Sequence, residues 1–456
     1  MNLTRTEQYD FLPRFYRLAI ANILSNLMIP LAGLISVAFL GHLQEIDALA
    51  GVCIANILFN LVYLILEFLR MGTTGLTAQA VGADDQEAAL LVGLRNGLIA
   101  LGLGIVLLIL QYPLREVGFS LLSADIDVKA AGIDYFNARI WGAPAVLLNF
   151  VLIGWLLGRE ENSKVVVLSV IGNAAKIILD YLFIIQWGWN SVGAGVSQAS
   201  SQYLMLFIGI LLASRKVQWQ EIRAVSPQIM DFSELKTMLA LNRDILIRTI
   251  TEMSVFTIFS NLSAMMGTIL FTQNSLLGQI THLNVYLTNG MGFATETLSG
   301  NLKGKDSKEK LLPLLKVSVA SSLLIGLTVA TICVFSPQAV FGILTNHREI
   351  TEHIDTYIWC LCLILIFNSV ASMLEGYFLG LAEGKIVRNV SLISATLGFI
   401  PSAIAAWYFH NNYLLWLSII LFMFAKMVTM LVYLPKSLSS DTEVNAVFLT
   451  TIKNEI

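Results

Sequence analysis

Twelve apolar stretches constrain this chain more than any other feature, because each is long enough to cross a bilayer as a helix. About 30 Å of hydrocarbon takes roughly 20 helical residues. In the first half the stretches lie near 15–41, 47–70, 89–112, 135–158, 164–187 and 192–213. In the second they lie near 243–267, 270–296, 313–335, 356–380, 387–409 and 413–434. Within lipid every backbone N–H and C=O must be paired inside the protein, so stretches of this length take the form of helices. Composition agrees: 56% of residues are hydrophobic and 13% charged, against about 25% charged in soluble domains. The expected fold is an all-α membrane protein with twelve transmembrane helices in two six-helix lobes.

The two lobes are inferred from an internal repeat. Gly154-Trp155-Leu156-Leu157-Gly158, with Glu161, recurs without a gap 222 positions later as Gly376-Tyr377-Phe378-Leu379-Gly380, with Glu383. At the same offset Thr77, Ala78, Gln79 and Gly82 fall on Ser299, Gly300, Asn301 and Gly304. Two segments sharing one offset indicate a single unit used twice. Six spans per unit is an even number, so both units enter from the same side as parallel repeats. An apolar bundle duplicated in this way points to transport, with a working site at the repeat interface.

Basic residues set the orientation. Arg5, Arg14 and Arg17 lie at or before the first span, Arg159 and Lys164 follow the fourth, and Arg215, Lys216, Arg223 and Lys236 separate the halves. Lys303, Lys305, Lys308 and Lys310 follow the eighth span, and Lys385 and Arg388 the tenth. Opposite loops such as 42–47 and 410–412 carry no Lys or Arg, with Arg115, Lys129 and Arg348 as exceptions in longer loops. The bias places both termini in the cytoplasm. The expected division is a lobe over 1–213, a cytoplasmic linker over 214–241, a second lobe over 242–437 and a cytoplasmic tail over 438–456. Within the linker Pro227 breaks any continuous helix, and Asp231 with Glu234 reads as a cap opening a short helix toward Lys236.

Several function classes drop out. A net charge of −3 argues against nucleic acid as a partner, since binding it needs a basic face. The four cysteines (Cys53, Cys333, Cys360, Cys362) read as buried thiols. The five histidines (His42, His282, His347, His353, His410) lack metal-ligand spacing. There is no phosphate-binding lysine loop, and Gly102-Leu103-Gly104 sits inside an apolar span rather than between a strand and a helix. No enzyme chemistry, metal or cofactor is expected. Energy for transport would come from an ion gradient.

Polar groups inside spans are the functional candidates, because each costs free energy unless it faces protein or water. Lys176 and Asp180 on the fifth span are four apart and share a helical face. A lone Asp in the membrane would protonate, whereas beside an ammonium it can stay ionised. The pair reads either as a structural ion pair or as an ion-coupling or substrate site. Glu67 and Glu252 are candidate proton carriers, and Glu67–Arg70 and Arg248–Glu252 sit at helical pairing distance. Arg70, Glu296 and Glu375 lie near span ends, where snorkelling to the interface is the simpler reading. Candidate cavity-lining or site residues are Ser25, Asn26 and Ser36 on the first span, Asn173 on the fifth, Gln198 and Gln202 on the sixth, and Asn284 and Asn289 on the eighth.

The chain resembles the multidrug and toxic compound extrusion (MATE) transporters, specifically their DinF-like branch. The resemblance rests on Pro30 to Leu34 with Gly41-His42-Leu43, on Phe68 to Gly82, on Leu241 to Ile245, on Gly154 to Gly158 and on Asp180. It covers essentially the whole chain. It implies a monomer of two six-helix lobes around a central cavity, alternating access, and export of a small organic substrate against influx of protons or sodium. The departures matter more. The family's Asp before Gly-His-Leu is Ser36 here, its upstream proline is Ala21, and the Asn four residues before Asp180 is Lys176.

Two carboxylates and an amide would make a negative cation site, whereas one carboxylate and an ammonium make a neutral one. At an effective dielectric of about 20, sodium and the ammonium would repel by about 4 kcal/mol at roughly 4 Å. The expectation is that the family's sodium site is not formed and that protons couple transport through Asp180, Glu67 or Glu252. An organic-anion exporter or uncoupled facilitator, and a lipid-precursor flippase, are the alternatives. At the repeat offset Lys176 and Asp180 fall on Gly398 and Ser402, flanking Pro401, and Glu67 falls on Asn289. The second lobe is therefore expected to be a neutral partner, with a kink near Pro401.

Overall fold

The computed structural model describes residues 8–41, 46–122, 124–215, 217–344 and 355–438. His42, Leu43, Arg5, Lys216, His347, Arg348, His353 and the tail from 439 onward, all invoked above, lie outside the described residues. Twelve long helices dominate, and no strand occurs among the described residues. They are α1 (Leu12–Gly41), α2 (Ile46–Gly82), α3 (Gln86–Ile109), α4 (Ile126–Gly158), α5 (Asn162–Gln186) and α6 (Asn190–Ser214). The second six are α7 (Phe232–Met265), α8 (Thr268–Gly304), α9 (Lys308–Phe335), α10 (Thr356–Gly380), α11 (Gly384–Phe409) and α12 (Asn412–Leu438). All but α8 combine crossing length with high apolarity. At 37 residues α8 is long enough, but it carries Gln273, Asn274, Gln279, Asn284 and Asn289 along its course.

Side chains set several helix starts. Asp85 Oδ1 accepts from the Ala88 amide at 2.8 Å to open α3, and Asn411 Oδ1 accepts from the Tyr413 amide at 2.8 Å at the start of α12. In the linker, Gln218 and Glu221 form a reciprocal capping box that starts a short helix, Trp219–Val225. A single 3-10 turn around Pro227 follows. Asp231 does cap the next helix, accepting from the Ser233 amide at 2.9 Å. That helix is not short: it runs without a break into α7, because no Pro or Gly interrupts residues 232–265.

The chain forms two compact units. One comprises Leu24–Asn242, and the other comprises Met1–Ile23 with Arg243–Ile456. The start of α1 thus packs with the later unit, where Arg14 donates to Asn301 Oδ1 at 3.1 Å and the Tyr16 and Ser321 hydroxyls meet at 3.0 Å.

Each unit has the same internal scaffold, position for position. In the earlier unit a Cβ on Gly154 of α4 would lie 2.5 Å from the Arg70 carbonyl oxygen of α2. In the later unit a Cβ on Gly376 of α10 would lie 2.5 Å from the Gly292 carbonyl oxygen of α8. One turn on, Gly158 abuts the Thr74 carbonyl and Gly380 the Glu296 carbonyl. Both crossings need glycine because backbone meets backbone there. The turns match as well: Asp84 and Asp306 have φ of 59° and 53°, and Glu160 and Ala382 have 59° and 57°. Every one of these pairs is separated by 222 positions. The recurring Gly-x-x-x-Gly is therefore a packing device, which allows close approach of two helices.

Candidate ion-coupling and substrate sites

In the unit 24–242, Asp180 ends the α-helical part of α5, and the chain continues through a π-helical turn over Tyr181–Gln186. Such turns break the regular hydrogen-bond ladder and recur at functional sites. The Asp180 side chain is fully buried, and its partners come from three helices. Lys176 Nζ donates to Oδ2 at 2.7 Å, Ser36 Oγ of α1 lies 2.5 Å from the same oxygen, and Ser197 Oγ of α6 is bonded to Oδ1. Lys176 also donates to Ser36 Oγ. The Ser36 hydroxyl also reaches the Ala32 carbonyl at 3.0 Å, and its single hydrogen can serve only one acceptor. One carboxylate therefore holds an ammonium and two hydroxyls, so both of its oxygens are engaged.

Ser36, Lys176 and Asp180 are thus brought together. Other candidates are placed apart from the carboxylate or turned away from it. Asn173 donates to its own helix at Ser169 O, 2.8 Å away. Gln202 Oε1 accepts from Asn149 of α4 at 3.0 Å, a contact that ties α6 to α4. Gln198 is half-buried, and Ser197 beside it makes the contact with Asp180 instead. Buried positions Gly193, Ala194, Ser197 and Ser201 mark the packed face of α6, so small hydroxyls rather than the longer amides face α5. Ser25 is buried, and Asn26 is half-buried. Glu67 pairs with Arg70 at 3.2 Å at a break in α2. Arg70 is buried rather than snorkelling, because the α2–α4 crossing at Gly154 closes over its backbone.

In the other unit, Asn284 is fully buried and Asn289 half-buried on α8. The expectation of a neutral second lobe is overturned here. Arg248 and Glu252 of α7, Glu375 of α10 and Lys426 of α12 form one buried network. Lys426 Nζ lies 2.5 Å from Glu252 Oε1 and 2.8 Å from Glu375 Oε2. Arg248 reaches Glu252 at 3.0 Å and also contacts Glu375. Ser391 of α11 donates to Glu252 Oε1 at 3.3 Å. Glu375 is held inside by two cations and does not snorkel, and Glu296 is likewise buried. The stretch near Pro401 does carry a π-helical turn, over Ser394–Phe399, which immediately precedes it. The charges come from helices that the offset from Lys176 and Asp180 never touches. Lys426 was the detectable signal: it is a lone ammonium in the apolar run 419–434 of α12.

A third group also went unread. In α4 the α-helix stops at Arg139, passes through a 3-10 turn over Ile140–Gly142 and restarts at Ala143, followed by Pro144, which cannot donate to the Ile140 carbonyl. Arg139 is buried, with its guanidinium 4.3 Å from the Phe59 ring centroid and 5.6 Å from those of Tyr63 and Tyr135. Its Nη1 donates to Tyr135 Oη at 2.9 Å and to Asn56 Oδ1.

Two units of one scaffold, spanning helices and buried charge clusters describe a membrane transporter rather than an enzyme. The MatE family model matches residues 21–182 and again 245–404, one copy per repeat. The chain belongs to the MatE family, whose members are transporters. It is 29% identical to DNA damage-inducible protein F of Escherichia coli (strain K12), over 90% of this chain and 88% of that protein. It is 22% identical to the probable multidrug resistance protein NorM of Thermotoga maritima, over 88% of this chain and 87% of that protein. Among solved structures, an outward-facing multidrug resistance MATE family transporter superposes with a TM-score of 0.81 at 19% identity, covering 92% of this chain and 93% of that one. A MOP superfamily transporter from Pyrococcus furiosus gives 0.80 at 19% identity, over 92% and 93% of the two chains.

Proposed function

We propose that this protein is a secondary active transporter that exports small organic compounds by alternating access, with protons rather than sodium as the coupling ion. Family membership supports ion-coupled transport, and relatives named as multidrug resistance proteins support a drug or metabolite as cargo. The ion choice rests on one observation: Asp180 is already saturated by Lys176, Ser36 and Ser197. A sodium ion entering there would meet the ammonium at a distance where repulsion is about 4 kcal/mol. A proton needs no such space. Protonating Asp180 removes its charge and frees Lys176, and re-ionising it recaptures Lys176, which gives the site two states that a proton gradient can drive. The bias of basic residues supports a cytoplasmic location for both termini, in the plasma membrane or a bacterial inner membrane.

The test is transport by the purified protein in proteoliposomes, using ethidium as a cationic and fluorescein as an anionic probe, under separate proton and sodium gradients. Movement of either dye that follows the proton gradient is the expected result. Failure to move either dye under any gradient contradicts the reading.

A further inference from the structure

The guanidinium of Arg139 has an unused edge. Nη1 takes both of its hydrogen bonds, to Asn56 and Tyr135, whereas Nε and Nη2 have no hydrogen-bond partner among the described residues. No described carboxylate forms an ion pair with it. The residue is only 9% exposed, and Nε is fully buried. A buried cation with no counter-charge is costly, and stacking on Phe59 offsets only part of that cost. Nε and Nη2 form the side of a guanidinium that binds a carboxylate or phosphate through two parallel N–H···O bonds.

The surroundings hold this edge in place. Asn56, Tyr135 and the rings of Phe59 and Tyr63 hold the guanidinium, and none of them bonds the buried Nε. The nearest acid along α4, Asp134, does not compensate it: Asp134 is exposed along a separate shallow groove with Asn137 and Trp141. Lys176 is within electrostatic range of Arg139, and Asp180 is within range of Tyr135. Arg139, Lys176 and Asp180 together carry two positive charges and one negative. The cluster is one negative charge short of neutrality.

We infer that Arg139 is the anchor of an anion-binding site in the unit 24–242, and that it takes an organic anion through a carboxylate or phosphate group on its Nε–Nη2 edge. Lys176 is the second cation, available to the same anion when Asp180 is protonated. The aromatic rings beside Arg139 suit an apolar body attached to the anionic head. This deepens the transport reading and rests on it for the word substrate, but binding can be measured without a gradient.

The experiment is fluorescence anisotropy of fluorescein and ethidium with the full-length protein in detergent, for the wild type, Arg139→Gln and Arg139→Lys. Wild type binds fluorescein. Arg139→Gln weakens that binding by about tenfold or more, the loss expected for a charge-assisted hydrogen-bonded pair. Arg139→Lys keeps the charge but not the fork, so its loss is smaller. Ethidium binding is unchanged in both variants, which shows that they are folded. Benzoate and inorganic phosphate compete with fluorescein. Repeating the titration in nanodiscs of phosphatidylcholine, with and without phosphatidylglycerol, separates the two sources of such a group: competition by phosphatidylglycerol assigns a lipid headgroup, and none assigns a soluble anion. Absence of fluorescein binding by wild type, an unchanged affinity in Arg139→Gln, or equal weakening of both dyes overturns the inference. Those results concern binding alone, whereas the transport reading fails if proteoliposomes move neither dye or move it only under a sodium gradient.

Discussion

At Asp180 a single carboxylate organises three helices, and the identity of each partner has a measurable consequence. Asp180→Asn leaves the Lys176 ammonium without its counter-charge and should abolish coupled transport while lowering thermal stability in detergent; proton-driven transport in that variant at the wild-type rate contradicts the role. Ser197→Ala removes one donor from the carboxylate, whereas Gln198→Ala removes none. The first should lower thermal stability in detergent by about 1–3 kcal/mol, because it leaves a buried carboxylate oxygen without its hydrogen bond. The second should leave the melting temperature where it was. Ser197 was illegible in the sequence for a definite reason: a serine also packs helices in membranes, and a neighbouring glutamine is the more conspicuous polar group. Arg139 was missed because it stands near the start of a predicted span, where an arginine reads as an interface residue.

Among elements, the charge network ties α7, α10 and α12 together. Removing one member of a buried pair typically costs about 3–5 kcal/mol, because the partner is left charged and unpaired. Lys426→Met should therefore destabilise the protein by an amount of that order. Lys426→Met combined with Glu375→Gln should recover much of the loss, since the remaining Arg248 and Glu252 can still pair. Thermal unfolding of the single and double variants decides this, and strict additivity would contradict the coupling. The glycine crossings give a second prediction at this scale. Gly380→Val forces a side chain into the Glu296 carbonyl and should cost about 1–3 kcal/mol, the usual penalty of overpacking. Gly97→Ala on α3, which meets nothing within 4 Å, should be neutral. Spans were legible because apolar length is a local signal, although α2 runs on to Gly82, α4 starts at Ile126 and α8 runs on to Gly304, all well beyond their apolar stretches. The α7 extension was not legible, because a cap marks where a helix starts and says nothing of where it stops.

For the whole molecule, the repeat carries both what the sequence revealed and what it concealed. The offset of 222 located the two scaffolds, since matched glycines, turns and carbonyl contacts recur at that spacing in each unit. It conceals the charges, because the buried charged positions of one unit are neutral in the other. Lys176 and Asp180 fall on Gly398 and Ser402, but Arg248, Glu252, Glu375 and Lys426 fall back on Asn26, Pro30, Ile153 and Leu204. Glu161 and Glu383, and Asp84 and Asp306, keep their charge at the offset, but neither of these two buried clusters has a counterpart in the other copy. The two units are equal as scaffolds and distinct as sites. The central claim is that Lys176 occupies the role a cation would otherwise fill beside Asp180. Its most direct test is transport in proteoliposomes under a sodium gradient at constant pH, compared between wild type and Lys176→Asn. The expected result is no sodium-driven transport by wild type and a gain of sodium dependence in Lys176→Asn. Sodium-driven transport by wild type, unchanged in Lys176→Asn, would contradict it.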